Sequence, residues 1–157
     1  MPPTMGTQDR INLAPDFKEF IELLNSENVE YLLLGGYAVN YYGHHRFTAD
    51  IDFWIATSPK NAERVARVMK RFGFDEAADA SRFLEPNRMH ILGVSPVRID
   101  VLTGPSGVDF ADCWPRRSIV EIDGVKLPVI GLADLRANKA ASGRDKDVSD
   151  LKHLPKV

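Results

Sequence analysis

With one cysteine in 157 residues, the chain cannot close an internal disulfide, and no Cys or His spacing forms a zinc-ligand pattern. Cys113 is expected to be a small buried thiol rather than a nucleophile. Long apolar runs are also missing: nothing approaches the roughly eighteen consecutive apolar residues of a membrane-spanning helix. Met1-Pro2-Pro3-Thr4-Met5-Gly6 has neither the charged nor the apolar region of a signal peptide, so a cytoplasmic location with no membrane partner is expected. An excess of charge of one sign is lacking as well. There are 20 Lys and Arg against 22 Asp and Glu, a net charge of −2, which gives no global field to draw in nucleic acid. A local basic patch of Lys139, Arg144, Lys146 and Lys152 stays open beside the plainer reading of a solvated helix face.

What is present fits a packed core: 44% of the residues are hydrophobic and 27% charged, the balance of one soluble globular domain. The expected organisation is a mobile N-terminal segment over 1–14 and a single domain over 15–157. Phe17, Phe20, Ile21 and Leu24 fall at i, i+3, i+4 and i+7, the stripe of an amphipathic helix behind Pro15-Asp16. Tyr31-Leu32-Leu33-Leu34 predicts a buried strand that stops at Gly35-Gly36, with a short helix from Tyr37 to Tyr42. Ile51 to Ile55 is the next strand. Ser58-Pro59 supplies an N-cap and a proline at the first helical position, Ala62, Val65, Ala66, Met69 and Phe72 the core stripe, and Gly73 the stop.

Met89–Leu92 and Val97–Leu102 read as a hairpin across Gly93-Val94-Ser95-Pro96, with the stretch from Asp75 to Arg88 left ambiguous. Ile119–Ile122 and Val125–Leu127 flank Asp123-Gly124, the dipeptide of a type I′ turn. Helices over Leu132–Ala141, ended by Gly143, and over Asp145–Leu154 close the chain, the second with Asp145, Asp147 and Asp150 toward its dipole-favoured N-terminal end. Strands and helices mix with hairpins, which predicts an α+β class: a mixed sheet flanked by helices.

Three acids stand out against this framework. Side chains alternate along a strand, so Asp50 and Asp52 share one face while Ile51 and Phe53 take the other. The same alternation puts Arg98 and Asp100 together, with Val97, Ile99 and Val101 on the core face. If the two strands are neighbours, three carboxylates converge. Ionised carboxylates removed from water need pairing, hydrogen bonds or a metal, and an all-oxygen set suits Mg²⁺ or Mn²⁺. The Gly35-Gly36 turn adds a second element, because a turn without side chains lets backbone N–H groups approach a phosphate. The plainer readings are a tight strand-to-helix turn for the glycines, a strand-start surface pair for Asp50 and Asp52, and an ion pair with Arg98 for Asp100.

Leu34-Gly35-Gly36-Tyr37-Ala38-Val39 followed by Gly43-His44-His45-Arg46-Phe47-Thr48-Ala49-Asp50-Ile51-Asp52 resembles the signature of the polymerase-β nucleotidyltransferase superfamily, in the subset of small prokaryotic proteins that includes AbiEii-like and minimal members. Asn138 to Asp147, with Asp150-Leu151 behind it, is similar to the C-terminal motif of that subset. Many superfamily members have Gly-Ser at the turn; Gly36 replaces the serine here, as is common in the AbiEii-like subset, and removes a hydroxyl contact to phosphate.

The resemblance implies a nucleotidyltransferase fold whose C-terminal helices close the cleft. It also implies a Mg²⁺-dependent transfer of a nucleoside monophosphate from a nucleoside triphosphate such as ATP to an acceptor hydroxyl. Asp50, Asp52 and Asp100 would be the catalytic and metal-holding residues, Asp100 either completing the second metal position or accepting the hydroxyl proton. Gly35, Gly36, Arg46, Thr48, Lys139 and Arg144 would bind the nucleotide, against plain loop or surface roles for Arg46, Thr48 and Lys139. His44 and His45 read as solvent-facing, and Tyr41, Tyr42 and Trp54 as core or rim. The acceptor is a protein, an RNA end or a small molecule, with near-neutral charge leaning away from long RNA. The subset's toxin–antitoxin roles bring in a possible partner protein, and with it the alternative of a catalytically silent subunit that binds and neutralises that partner.

Overall fold

A computed structural model describes residues 11–157. The elements are α1 (Pro15–Ser26), β1 (Tyr31–Leu34), α2 (Gly35–Tyr41), β2 (Asp50–Ile55), α3 (Pro59–Phe72), β3 (Met89–Leu92), β4 (Arg98–Leu102), α4 (Phe110–Cys113), β5 (Ser118–Ile122), β6 (Val125–Val129), α5 (Leu132–Ser142) and α6 (Asp145–His153). The six strands form one mixed sheet in the order β3-β4-β2-β1-β6-β5. β1 runs antiparallel to β2 and parallel to β6, β2 and β4 are parallel, and the two outer pairs are antiparallel hairpins.

Local chemistry accounts for the elements. Ser58 Oγ accepts from Asn61 N at the start of α3, Pro59 follows, and Gly73 ends the helix at φ 99°, a conformation that disfavours a Cβ. The β5–β6 turn has positive φ at both Asp123 and Gly124, as the type I′ geometry requires. One face of the sheet packs on α1 and α3 through Phe20, Phe53 and Phe72, with Phe20 5.5 Å from Phe53 and 5.2 Å from Phe72 between ring centroids. The other face carries Asp50, Asp52 and Trp54 in succession. Trp54 is covered by Phe110 of α4 at 5.2 Å, so apolar packing closes one end of that face and leaves the acids at the other.

Several expectations are refined. The glycines belong to α2, which begins at Gly35 instead of Tyr37. The ambiguous stretch resolves into two 3₁₀ turns, Asp75–Ala77 and Ala80–Phe83. α4 was not anticipated, because four residues are too few for a periodic signal. Of the expected mobile segment 1–14, residues 1–10 lie outside the described residues. Ile11 and Leu13 are buried, and the Leu13 N–H donates to Asp123 Oδ2 at 2.9 Å.

Candidate active site

The sheet register brings the acids together. β2 and β4 pair in parallel with Asp50 opposite Arg98 and Asp52 opposite Asp100, while Asp52 also lies opposite Leu34 at the end of β1. One carboxylate oxygen from each of Asp50, Asp52 and Asp100 lies within 4.8 Å of the others. Burial, reinforced by the charges of Asp50 and Asp100, pushes the Asp52 carboxyl up to about 7. Like charges this close resist joint ionisation, and a divalent cation relieves that repulsion. The three-carboxylate donor set fits Mg²⁺ or Mn²⁺.

A basic side chain is built into the same cluster. Arg98 donates from Nε to Asp100 Oδ1 at 2.8 Å and from Nη2 to Asp100 Oδ2 at 2.9 Å; Nη2 also lies 3.6 Å from Asp50 Oδ2. Burial works against ionisation of Asp100, yet the Arg98 hydrogen bonds and contacts within the triad hold its carboxyl below the usual range. The ion pair considered from sequence is therefore present, inside the acid cluster.

The glycine turn lies against these acids. A Cβ at Gly35, whose φ is +64°, would collide with Asp52 Oδ2; one at Gly36 would sit 2.5 Å from Thr48 Oγ1 and 3.2 Å from Arg46 Nη1. That packing leaves little room for a side chain at Gly36, because the Thr48 hydroxyl and the Arg46 guanidinium already fill the space. Gly36→Ser is accordingly expected to lower stability by about 1–3 kcal/mol through overpacking, and Thr48→Ala in the same chain to recover part of it. Thermal denaturation of the two variants checks this, and a Gly36→Ser protein as stable as wild type would refute it.

Asn40 anchors the loop between α2 and β2. Its Nδ2 donates to the carbonyls of Gly36 and Arg46, each at 3.0 Å, and its Oδ1 accepts from Arg46 N at 2.8 Å. The turn, the loop, Asp50 and Asp52 form one wall of a cleft of about 440 Å³; Asn87, Arg88, Met89 and Gly104–Ser106 form a second, and Lys139, Ser142, Arg144 and Lys146 line it from the C-terminal helices. That volume falls within the range of small-ligand sites.

The C-terminal side of the cleft holds a charge network. Lys139 is 4% exposed, and its Nζ lies 3.1 Å from both Asp147 Oδ1 and Asp150 Oδ2. Arg46 donates to Asp150 through Nε at 2.7 Å and Nη2 at 2.9 Å, and Arg144 Nε donates to Asp147 Oδ2 at 2.8 Å. Burial opposes ionisation of Asp147 and Asp150, yet hydrogen bonds, foremost those of Arg144 to Asp147 and of Arg46 to Asp150, lower both.

All nine sequence-predicted site residues except Asp100 line the cleft, and Asp100 is buried beneath it at 2% exposure. Lys139 reaches it from within an ion-pair network rather than as a free surface lysine. His44 is partly exposed, not fully solvent-facing: its side chain is 17% exposed and stacks on His153 at 4.3 Å. His45 is exposed, and Tyr42 Oη donates to Ile130 O at 2.6 Å. Asn40, Asp147 and Asp150 were missed as site residues. In sequence the two aspartates stand out only as part of the C-terminal motif and by an i, i+3 spacing that equally suits a helix N-terminus.

Comparison with known proteins follows the same lines. A family described as "Nucleotidyltransferase of unknown function (DUF6036)" matches residues 12–154. No curated protein matches the chain. Among solved structures, a candidate nucleotidyltransferase from Thermotoga maritima is similar at a TM-score of 0.58 and 16% identity, over 92% of this chain and 95% of the other. An antigenic nucleotidyltransferase-like protein from Paracoccidioides brasiliensis aligns at 0.54 and 16% identity, over 89% and 76% of the two chains. At these identities the likeness is one of fold.

Proposed function

Because the chain belongs to this nucleotidyltransferase family, we propose that it moves a nucleoside monophosphate from a nucleoside triphosphate to an acceptor hydroxyl in a Mg²⁺- or Mn²⁺-dependent reaction. The observation that carries this reading is the meeting of three carboxylates within 4.8 Å of one another beneath the Gly35-Gly36 turn, in a cleft whose opposite lining is basic. Asp50, Asp52 and Asp100 would hold the divalent ion, which when bound supplies charge neutralisation for the transferred phosphoryl and the departing pyrophosphate.

In the reaction, the acceptor oxygen forms a bond to the α-phosphorus while the bond from that phosphorus to the bridging oxygen of the β-phosphate breaks. Pyrophosphate leaves with that electron pair, and the acceptor proton passes to a carboxylate or to water. Arg46, Thr48, Lys139 and Arg144 bind the triphosphate on this reading, with the backbone of Gly35 and Gly36 close enough for direct contact because no side chain intervenes. The near-neutral net charge favours a protein or small-molecule acceptor over long RNA. A toxin–antitoxin partnership comes from the motif resemblance, and a cytoplasmic setting from a sequence without signal-peptide character. Among the described residues no helix is long and apolar enough to cross a membrane.

Calorimetric titration with ATP, GTP, CTP and UTP, in Mg²⁺ and then in EDTA, tests the proposal. One triphosphate is expected to bind in Mg²⁺ and to lose binding in EDTA or in Asp50→Asn. If none binds, the proposal fails in favour of a silent, partner-binding subunit.

A further inference from the structure

Arg98 stands apart from the other basic groups at this site. Lys139 and Arg46 are held by aspartates of α6 at the cleft's C-terminal side. Arg98 instead points its guanidinium into the acid cluster, and the partners the structure gives it are Asp100 and Asp50. Register fixes this: Arg98 lies opposite Asp50 across the β2–β4 ladder and two residues before Asp100 on the same face.

The guanidinium engages both oxygens of Asp100, and its Nη2 lies 2.9 Å from Asp100 Oδ2 and 3.6 Å from Asp50 Oδ2. An ion shared by these two carboxylates needs their oxygens at about 2.0–2.1 Å. Arg98 and such an ion therefore compete for the same oxygens and the same space. The rest of the side chain leaves it free to move, since 34% of it is exposed and the long aliphatic stem can swing its head into water.

Building on the nucleotidyltransferase reading, we infer that Arg98 is a resident counter-cation that occupies the bridging position between Asp50 and Asp100 and must be displaced before a divalent ion loads. It neutralises part of the triad in the metal-free protein and weakens the binding of a bare metal ion. The site then fills effectively only when the ion arrives with the triphosphate, whose own oxygens complete the coordination and offset the lost ion pair.

Mn²⁺ alone, without nucleotide, is the probe. Wild type, Arg98→Gln and Arg98→Ala are titrated by calorimetry, and the rise in melting temperature on adding Mn²⁺ is measured in parallel. Removing a partly exposed competing charge is expected to tighten Mn²⁺ on the order of fivefold in both variants, and to enlarge the Mn²⁺-induced rise in melting temperature. Both substitutions lie at a partly exposed side chain; if one variant folds poorly, the other carries the test. Mn²⁺ affinity that is unchanged or lower in the variants while wild type binds overturns this inference alone and leaves Arg98 as a group that orients Asp100. Absence of Mn²⁺ binding in all three proteins overturns it together with the metal site beneath it.

Discussion

Replacing Asp52 by asparagine is expected to abolish nucleotidyl transfer while making the metal-free protein more stable. The two effects have one cause. Asp52 sits against Asp50 and Asp100, and burial with their charges pushes its carboxyl up to about 7. Folding therefore holds this group in its protonated form more firmly than the unfolded chain does. A raised carboxyl of this kind contributes stability that is fully present below about pH 4, the unfolded value, and is lost progressively as pH rises toward 7. Asparagine removes the ionisable group and with it that loss.

At pH 7.5 in EDTA the Asp52→Asn protein is expected to be more stable by about 1–3 kcal/mol, with the difference vanishing near pH 4. Metal reverses the balance in wild type. A divalent ion that binds the ionised triad stabilises the folded state by mass action, so Mn²⁺ is expected to raise the wild-type melting temperature more at pH 8 than at pH 6 and to do little for the variant. Transfer activity is expected to fall at least about a thousandfold, the scale seen when charge stabilisation is removed from a transition state. Melting curves against pH, with EDTA and with Mn²⁺, check the stability half. A variant less stable than wild type in EDTA at pH 7.5 would mean that Asp52 is an ordinary structural acid.

Much of this site could be read from alternation alone. Placing Asp50 and Asp52 on one face, and Arg98 with Asp100 on another strand's face, needs only the period of two. What alternation could not supply was adjacency. β2 and β4 are separated in the chain by α3 and β3, and nothing local says that they pair in parallel with Asp52 opposite Asp100. Strand order depends on long-range packing. The packing at Gly36 has the same origin: the glycine was visible, but the Thr48 hydroxyl that excludes a serine is placed by the loop that Asn40 anchors. Ser58-Pro59 and Asp123-Gly124 were legible because capping and turn chemistry act over a few residues.

Asp150's role in the site was poorly legible, and its loss is expected to be the most damaging to the fold. In sequence it is one of three acids near the start of a helix; in the structure it is 1% exposed and binds Arg46, 104 residues earlier, through two hydrogen bonds. It shares Lys139 with Asp147. Asp150→Asn leaves Arg46 and Lys139 facing one remaining carboxylate, Asp147, which Arg144 also binds. An uncompensated buried charge costs about 3–5 kcal/mol, which predicts a fall in melting temperature of about 10 °C or more for a chain of this size. If charge imbalance is the cause, Lys139→Met added to Asp150→Asn removes one unpaired cation, and the double variant is expected to be more stable than Asp150→Asn alone. The pH response follows the opposite sign to that of Asp52. Asp147 and Asp150 are held below their ordinary values in the folded state, so their contribution is present above about pH 4 and is lost as pH falls. Wild type is expected to lose stability steeply below pH 4, and Asp150→Asn less steeply. Equal acid sensitivity in the two proteins would place the stabilising charge pairs elsewhere. Because Asp150 ties the Arg46 loop to α6, the same substitution releases the guanidinium that lies 3.2 Å from a Gly36 Cβ position, and it should weaken triphosphate binding even where the fold survives.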